Sequence, residues 1–287
     1  QIAQELECNF NSSGETVLQA EDMEWTLSCV TEPTYRTGFD RNFWIWEKYQ
    51  DDSKYLLVAD VARGDGADYS VFHVIKLQTM EIVAEYQGKP TLDHYADILF
   101  DAGREYGNCL LVVENNGIGI SVLEKLINKE YPNLYYSIKG SHEYIEQHKA
   151  QYSSNSVPGF TNSSKTRPLI VAKMEEYIRN KLIIVRSSRL FHEFKTFIWH
   201  NGRPQAMRSY HDDLVMSLSI ACWVRDTAIE VDQRDVAYKK AMMGGMFLNS
   251  TKMNTTIKGQ DGYSQTFNEK YREEINQTKD FLWIYKG

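Results

Sequence analysis

The chain is short of the features that mark several protein classes. Its 287 residues hold only four cysteines, Cys8, Cys29, Cys109 and Cys222. No two form a Cys-x-x-Cys pair, which argues against a disulfide framework or a zinc site. Cys109 and Cys222 lie in apolar runs and read as core thiols in a reducing cytoplasm. The longest apolar runs, Tyr55–Val58, Leu110–Val113 and Leu182–Val185, fall far short of the ~20 residues that a membrane helix needs. No basic stretch and apolar core open the chain, so no secretory signal is expected. Without that route the Asn-x-Ser/Thr triplets at Asn11, Asn162, Asn249, Asn254 and Asn276 carry no weight. Positive charge is also scarce: a net charge of −7 and a pI of about 5.6 argue against strong nonspecific nucleic-acid binding by the chain as a whole.

Several catalytic signatures are absent too. There is no Gly-x-x-x-x-Gly-Lys-Ser/Thr loop, so P-loop ATP hydrolysis is not expected; Gly88-Lys89 is an isolated turn dipeptide. No Gly-x-Ser-x-Gly elbow, no His-Glu-x-x-His helix and no internal repeat occur. The chain begins at Gln1 rather than Met, and a fragment of something longer is the expectation.

What is present is a globular composition, 42% hydrophobic and 25% charged, with an aromatic share of 13%. Residues 1–30 are polar and weakly patterned. Phe39, Phe43, Trp44, Trp46 and Tyr49 then form an aromatic cluster suited to docking on a domain body. Lys54–Asp60 is apolar on both faces, as a central strand in a covered sheet is. Ser70–Leu77 and Glu81–Tyr86 complete an antiparallel meander. Helical spacing follows over Thr91–Tyr106, then a strand over Cys109–Glu114, a helix over Ile118–Lys129 and a strand over Leu134–Ile138. From Gly140 to Arg167 periodicity is lost and a long loop or flap is expected. Beyond it, Pro168–Asn180 reads as helix, Lys181–Val185 as a short strand, Ser187–Phe197 as helix and Asp212–Asp226 as a long helix. The pattern predicts a mixed α/β sheet covered on both faces.

Three places in that plan carry carboxylates. Asp60 and Glu114 each end an apolar strand, where ligands collect in covered α/β sheets. A single carboxylate there is usually a turn or cap residue. Two on neighbouring parallel strands repel each other unless a proton or cation lies between them. His211-Asp212-Asp213 opens the last helix. An Asp N-cap accounts for one of the pair but not for both. An oxygen-rich cluster of this kind suits magnesium or manganese, one ion or two, and two-metal centres serve in-line phosphodiester displacement. The turn Arg63–Asp68 fits neither a dinucleotide fingerprint nor a calcium loop; Asp65 reads as a turn residue, and Asp68 as a turn residue or auxiliary ligand.

Between Lys165 and Lys195 the balance of charge reverses. Eight basic residues (Lys165, Arg167, Lys173, Arg179, Lys181, Arg186, Arg189, Lys195) face three acids, Glu175, Glu176 and Glu193. This is either a solvated helix face or a phosphate-contacting surface.

Taken together, Tyr55–Ser70 (YLLVADVARGDGADYS), Leu111–Gly119 (LVVENNGIG) and Ser209–Ser217 (SYHDDLVMS) resemble, in order and spacing, the three acidic motifs of the nuclease domain of large terminase subunits, the DNA-packaging motors of tailed bacteriophages, most nearly the T-even group. The resemblance covers about residues 35–230. It implies a ribonuclease H-like fold, with a mixed central sheet flanked by helices on both faces. It also implies a divalent-metal-dependent endonuclease that cuts concatemeric double-stranded DNA. By the resemblance Asp60 is the first ligand, Glu114 the second and Asp213, or Asp212, the third; beside them Asp68 and His211 are the candidate auxiliary residues. Relatives often carry a further Asp three residues on, where this chain has Met216. Residues 1–34 become the connection to an ATPase domain absent from this sequence, and 231–287 a C-terminal extension. Portal ring, small terminase subunit and the motor's own ATPase domain are the implied partners, in the host cytoplasm and with no membrane. Lys165, Arg167, Lys173, Arg179, Lys181, Arg186 and Arg189 are the candidate DNA contacts. The alternative is a non-catalytic DNA-gripping or portal-docking module of the same motor. A glycosidase reading leaves the third acidic pair and the basic window without a role.

Overall fold

Tyr55–Asp60 (β3) is buried from Tyr55 to Ala59, which places it inside the sheet rather than at an edge. The computed structural model describes residues 16–227 except 65, 67, 141 and 142. In it β3 pairs antiparallel with Ser70–Lys76 (β4), and β4 with Glu81–Gly88 (β5), forming the expected meander. Leu110–Val113 (β6) joins the other side of β3 in parallel, with Ala59 level with Val113. Two short strands extend the far edge, Tyr35–Thr37 (β1) and Phe43–Ile45 (β2), giving the order β1-β2-β5-β4-β3-β6. Trp44 and Phe43 thus join the sheet, and their aromatic cluster docks on the body by strand pairing.

Side chains alternate across this sheet and build two cores. One face packs Leu57, Val74 and Leu111 against two helices, Leu92–Glu105 (α2) and Gly119–Asn128 (α3). Thr91 caps α2, and its Tyr95, Ala96, Leu99 and Ala102 form the buried stripe that helical spacing requires. The other face packs Val58, Val71 and Val112 against Ala20–Cys29 (α1), Thr166–Arg179 (α5), Ser188–Thr196 (α6) and a helix over 213–227 (α7). Cys109 and Cys222 are buried thiols. No helix among the described residues is long and apolar enough to cross a membrane.

Three sequence expectations need correction. The stretch from Gly140 to Arg167 is not a structureless loop. Tyr144–Ile145 (β8) and Ser156–Pro158 (β9) flank Tyr136–Ile138 (β7) in a separate three-stranded sheet, with a turn of helix, Gln147–Ala150 (α4), between them. Strands this short show no legible alternation. Lys181–Val185 is not a strand but a single bridge from Ile184 to Glu81. Residues 16–34 are not a bare linker: Val17, Leu18 and Met23 are buried in the second core, and Thr31 accepts from the Trp46 indole at 2.9 Å. A hairpin, Phe197–His200 (β10) with Arg203–Ala206 (β11), lies just before the third acidic motif. Residues 1–15 and the expected extension 231–287 lie outside the described residues.

Candidate metal centre

Parallel pairing of β3 with β6 sets the first two acids side by side. Asp60 follows Ala59 and Glu114 follows Val113, the last level pair of the ladder, and the Glu114 amide donates to the Ala59 carbonyl at 3.0 Å. α7 supplies the third. Its first residue, Asp213, accepts the Tyr69 backbone N–H at Oδ2, 2.9 Å away. Asp60, Glu114, Asp212 and Asp213 line one cavity of about 320 Å³ together with Arg167 and Asn162. Met216 lines it as well and contributes a thioether to the wall.

The two adjacent aspartates are not equivalent. Asp212 Oδ2 accepts from the Arg167 guanidinium and from the Ala206 amide at 3.0 Å, while its carbonyl caps the first turn of α7. Its charge is already matched. Asp213 has one backbone donor and lies among acids. Burial pushes its carboxyl up to about 6, with Asp68 and Asp212 adding to the rise. Burial also holds the Asp60 carboxyl well above the usual range, and repulsion from Glu114 and Asp213 adds to it. Glu114 is raised by burial despite amide donors from Asn116 and Asn162 and the nearby Arg167. Three oxygen-bearing groups that resist ionising together form a centre short of positive charge.

The auxiliary residues converge on the same carboxylate. His211 Nδ1 lies 3.6 Å from Asp68 Oδ1 and 4.0 Å from Asp213 Oδ2. Asp68, His211 and Asp213 each offer a ligand atom within 4.8 Å of the others. The Tyr69 ring meets His211 edge-on at 5.3 Å between ring centres.

Most of the basic window is engaged within the domain. Arg186 pairs with Glu81, and Arg189 donates to the buried Glu85 at 2.8 Å while stacking 3.8 Å over Trp44. Lys173 is held by Glu176 and Asp226, and Arg179 by Glu175. Lys165 and Lys181 are exposed, and Arg167 alone of the group lines the acidic cavity. Two residues escaped the sequence reading. Arg63 lines the cavity although its turn was read only for its aspartates. Asn162 reaches Glu114 because the chain at 160 bridges alongside Glu114, with the Asn115 amide donating to Phe160 O at 2.9 Å. No local sequence signal announces a contact made across that many residues.

Comparison with known proteins follows the same lines. No protein-family model matches the chain. Its sequence is 28% identical over 225 residues to the large terminase subunit of Thermus virus P23-45 and 27% identical over 225 residues to that of Thermus phage G20c. Each alignment takes in 77% of this chain and 40% of the relative, so the chain spans less than half the length of the proteins it matches. In structure it is similar to the large terminase nuclease of phage G20c with bound magnesium. That match has a TM-score of 0.55 and 19% identity, and it covers 73% of this chain and 97% of the other. It is also similar to the large terminase nuclease domain of Thermus phage P74-26, with a TM-score of 0.52, 20% identity and coverage of 69% and 93%. The chain is thus similar in sequence to large terminase subunits, and its mixed sheet with flanking helices shares the fold of solved large terminase nuclease domains.

Proposed function

We propose that the chain is the nuclease domain of a viral DNA-packaging motor, a divalent-metal-dependent endonuclease that cuts concatemeric double-stranded DNA. One observation carries the reading: Asp60, Glu114 and Asp213, from three separate segments, share a cavity in which each carboxyl is raised by burial or by its acidic neighbours. All-oxygen donors of that charge fit magnesium or manganese. The magnesium and cobalt named with the G20c nuclease agree with such a centre.

Asp60, Glu114 and Asp213 would hold one ion, and Asp213 with Asp68 and His211 a second. Ions so placed supply Lewis acidity to the phosphodiester and a more acidic bound water. The chain's own residues set up the rest. The Val61 amide fixes Asp60 Oδ1 at 2.8 Å, and the Asn116 amide fixes Glu114 Oε1 at 2.8 Å, so neither side chain rotates freely at the cavity floor. Arg167, bound to Asp212, keeps a guanidinium at the wall where a phosphate would lie, and the exposed Arg63 adds a second cation to the lining. Around the domain the reading places double-stranded DNA, the motor's ATPase domain, the portal ring and the small terminase subunit, in the host cytoplasm.

Plasmid nicking tests the reading. Magnesium or manganese should support nicking, chelator should stop it, and Asp60→Asn should abolish it while leaving the fold intact. Full activity in chelator, or in the Asp60→Asn protein, overturns the proposal. Intact DNA under every metal condition, with measurable binding, replaces it with the non-catalytic gripping module.

A further inference from the structure

A row of polar side chains crosses the sheet one level below the acids. Val58 on β3 is level with His73 on β4, His73 with Glu85 on β5, and Glu85 with Trp44 on β2. His73 and Glu85 are fully buried; His73 meets α7 at Ser217, and Glu85 meets the start of α6 at Ser187 and Arg189. His73 Nε2 lies 3.1 Å from Glu85 Oε2, and the carboxylate's other oxygen accepts from Ser187 Oγ and Arg189 Nε, both at 2.8 Å. The row ends on the helix. Ser217 Oγ lies 3.1 Å from His73 Nδ1 and donates to the Val58 carbonyl at 2.9 Å. None of these groups touches the acidic cavity, so its chemistry does not account for them.

Their spacing does. Four residues along a helix advance about 6 Å, and two residues along a strand about 6.7 Å. Asp213 precedes Ser217 by four residues on the same helix face, and Asp60 follows Val58 by two on the same strand face. Seating Ser217 over Val58 therefore brings Asp213 level with Asp60. Apolar contacts alone let a helix slide along a sheet with little penalty for a fraction of an ångström. A directional pair of hydrogen bonds, one to a buried histidine anchored by Glu85 and one to the Val58 carbonyl, does not.

We propose that Ser217, held by His73 and through it by Glu85 and Arg189, is the positioning residue that sets α7 against β3 and so fixes the separation of Asp213 from Asp60. The proposal rests on the metal-centre reading for its catalytic consequence, but not for its geometry. Alanine at Ser217 keeps the helix and removes both hydrogen bonds. Ser219→Ala is the matched control: Ser219 is equally buried on the same helix, but bonds to Val215 O and Met174, with no bond to the sheet.

Manganese binding followed by electron paramagnetic resonance, nicking kinetics and metal-free crystal structures of the full chain separate the outcomes. Ser217→Ala should raise the manganese half-saturation about tenfold and lower kcat with KM for DNA unchanged, the scale expected for a group that orients ligands from outside. Ser219→Ala should leave both near wild type. Equal affinity in all three proteins, or parallel losses in the two variants, overturns the proposal. If the wild-type chain itself binds no manganese, the metal reading fails and the crystal structures decide. Asp213 displaced from Asp60 in Ser217→Ala alone supports the positioning role, and an unmoved Asp213 overturns it.

Discussion

Tyr69 and Asp213, 144 residues apart in the chain, are joined by a hydrogen bond from the Tyr69 backbone amide to Asp213 Oδ2. The bond orients Asp213 but supplies only a dipole, while burial and two neighbouring acids, Asp68 and Asp212, oppose its charge. Asn in place of Asp213 keeps an oxygen for the same amide and removes the repulsion. The metal-free Asp213→Asn protein should therefore be more stable than wild type near neutral pH, by about 1–2 kcal/mol, while manganese binding is lost. Denaturant titration in chelator, paired with a binding measurement, checks both. A destabilised variant would show that the carboxylate anchors α7 rather than strains it.

A second buried acid lies outside the cavity. Glu193 on α6 accepts the Val215 amide at 3.1 Å and caps α7 from across the core. Burial pushes its carboxyl well above the usual range, and Asp213 and Glu85 add repulsion. A raised carboxyl contributes stability that is present below its unfolded pKa and lost as pH rises through the folded one. Glu193→Gln retains an acceptor for Val215 and has no proton to lose. Its melting temperature relative to wild type should climb from acid to alkaline pH. A difference that stays flat with pH would place the Glu193 charge in a neutral balance.

Local signals made the convergence of the acids readable. Asp60 and Glu114 close apolar strands and Asp213 opens a helix, so each could be placed on its element from a dozen neighbouring residues. The meander, α2, α3 and α7 were legible for the same reason. Charge partners were not. Counting lysines and arginines between 165 and 195 suggested a basic surface, yet Glu81 and Glu85, which neutralise Arg186 and Arg189, lie more than 100 residues earlier. The small sheet β8-β7-β9 and the delivery of Asn162 to Glu114 likewise depend on pairings that no window contains.

That difference separates the arginines experimentally. Arg189 is the partner of a fully buried carboxylate, and Arg189→Ala should cost about 3–5 kcal/mol by leaving Glu85 to His73 and Ser187 without the guanidinium charge. Arg167 and its partner Asp212 are partly exposed, so Arg167→Ala should cost about 1 kcal/mol or less. It should instead weaken DNA binding and reduce the magnitude of the log–log salt slope by about one. Fluorescence anisotropy across a salt series, beside urea melts, distinguishes the two. An unchanged slope in Arg167→Ala would remove it from the DNA surface.

Gly119 tests how tightly Glu114 is fixed by its own loop. It is the buried first residue of α3, and its amide donates to Asn116 O at 3.0 Å. A Cβ there would run into the Glu114 carbonyl oxygen, a backbone atom that cannot swing aside. Gly117, two residues earlier, has φ 52° and open space around the missing Cβ. The two substitutions therefore separate strain from collision. Gly117→Ala should cost about 1 kcal/mol through left-handed backbone alone and leave nicking close to wild type. Gly119→Ala must move α3 away from β6, at about 2–3 kcal/mol, and it carries Glu114 with it. Nicking should fall far more than the folded fraction does, and raised manganese should recover part of it. If Gly119→Ala loses activity only in proportion to unfolding, the turn is a structural connection and Glu114 does not depend on it.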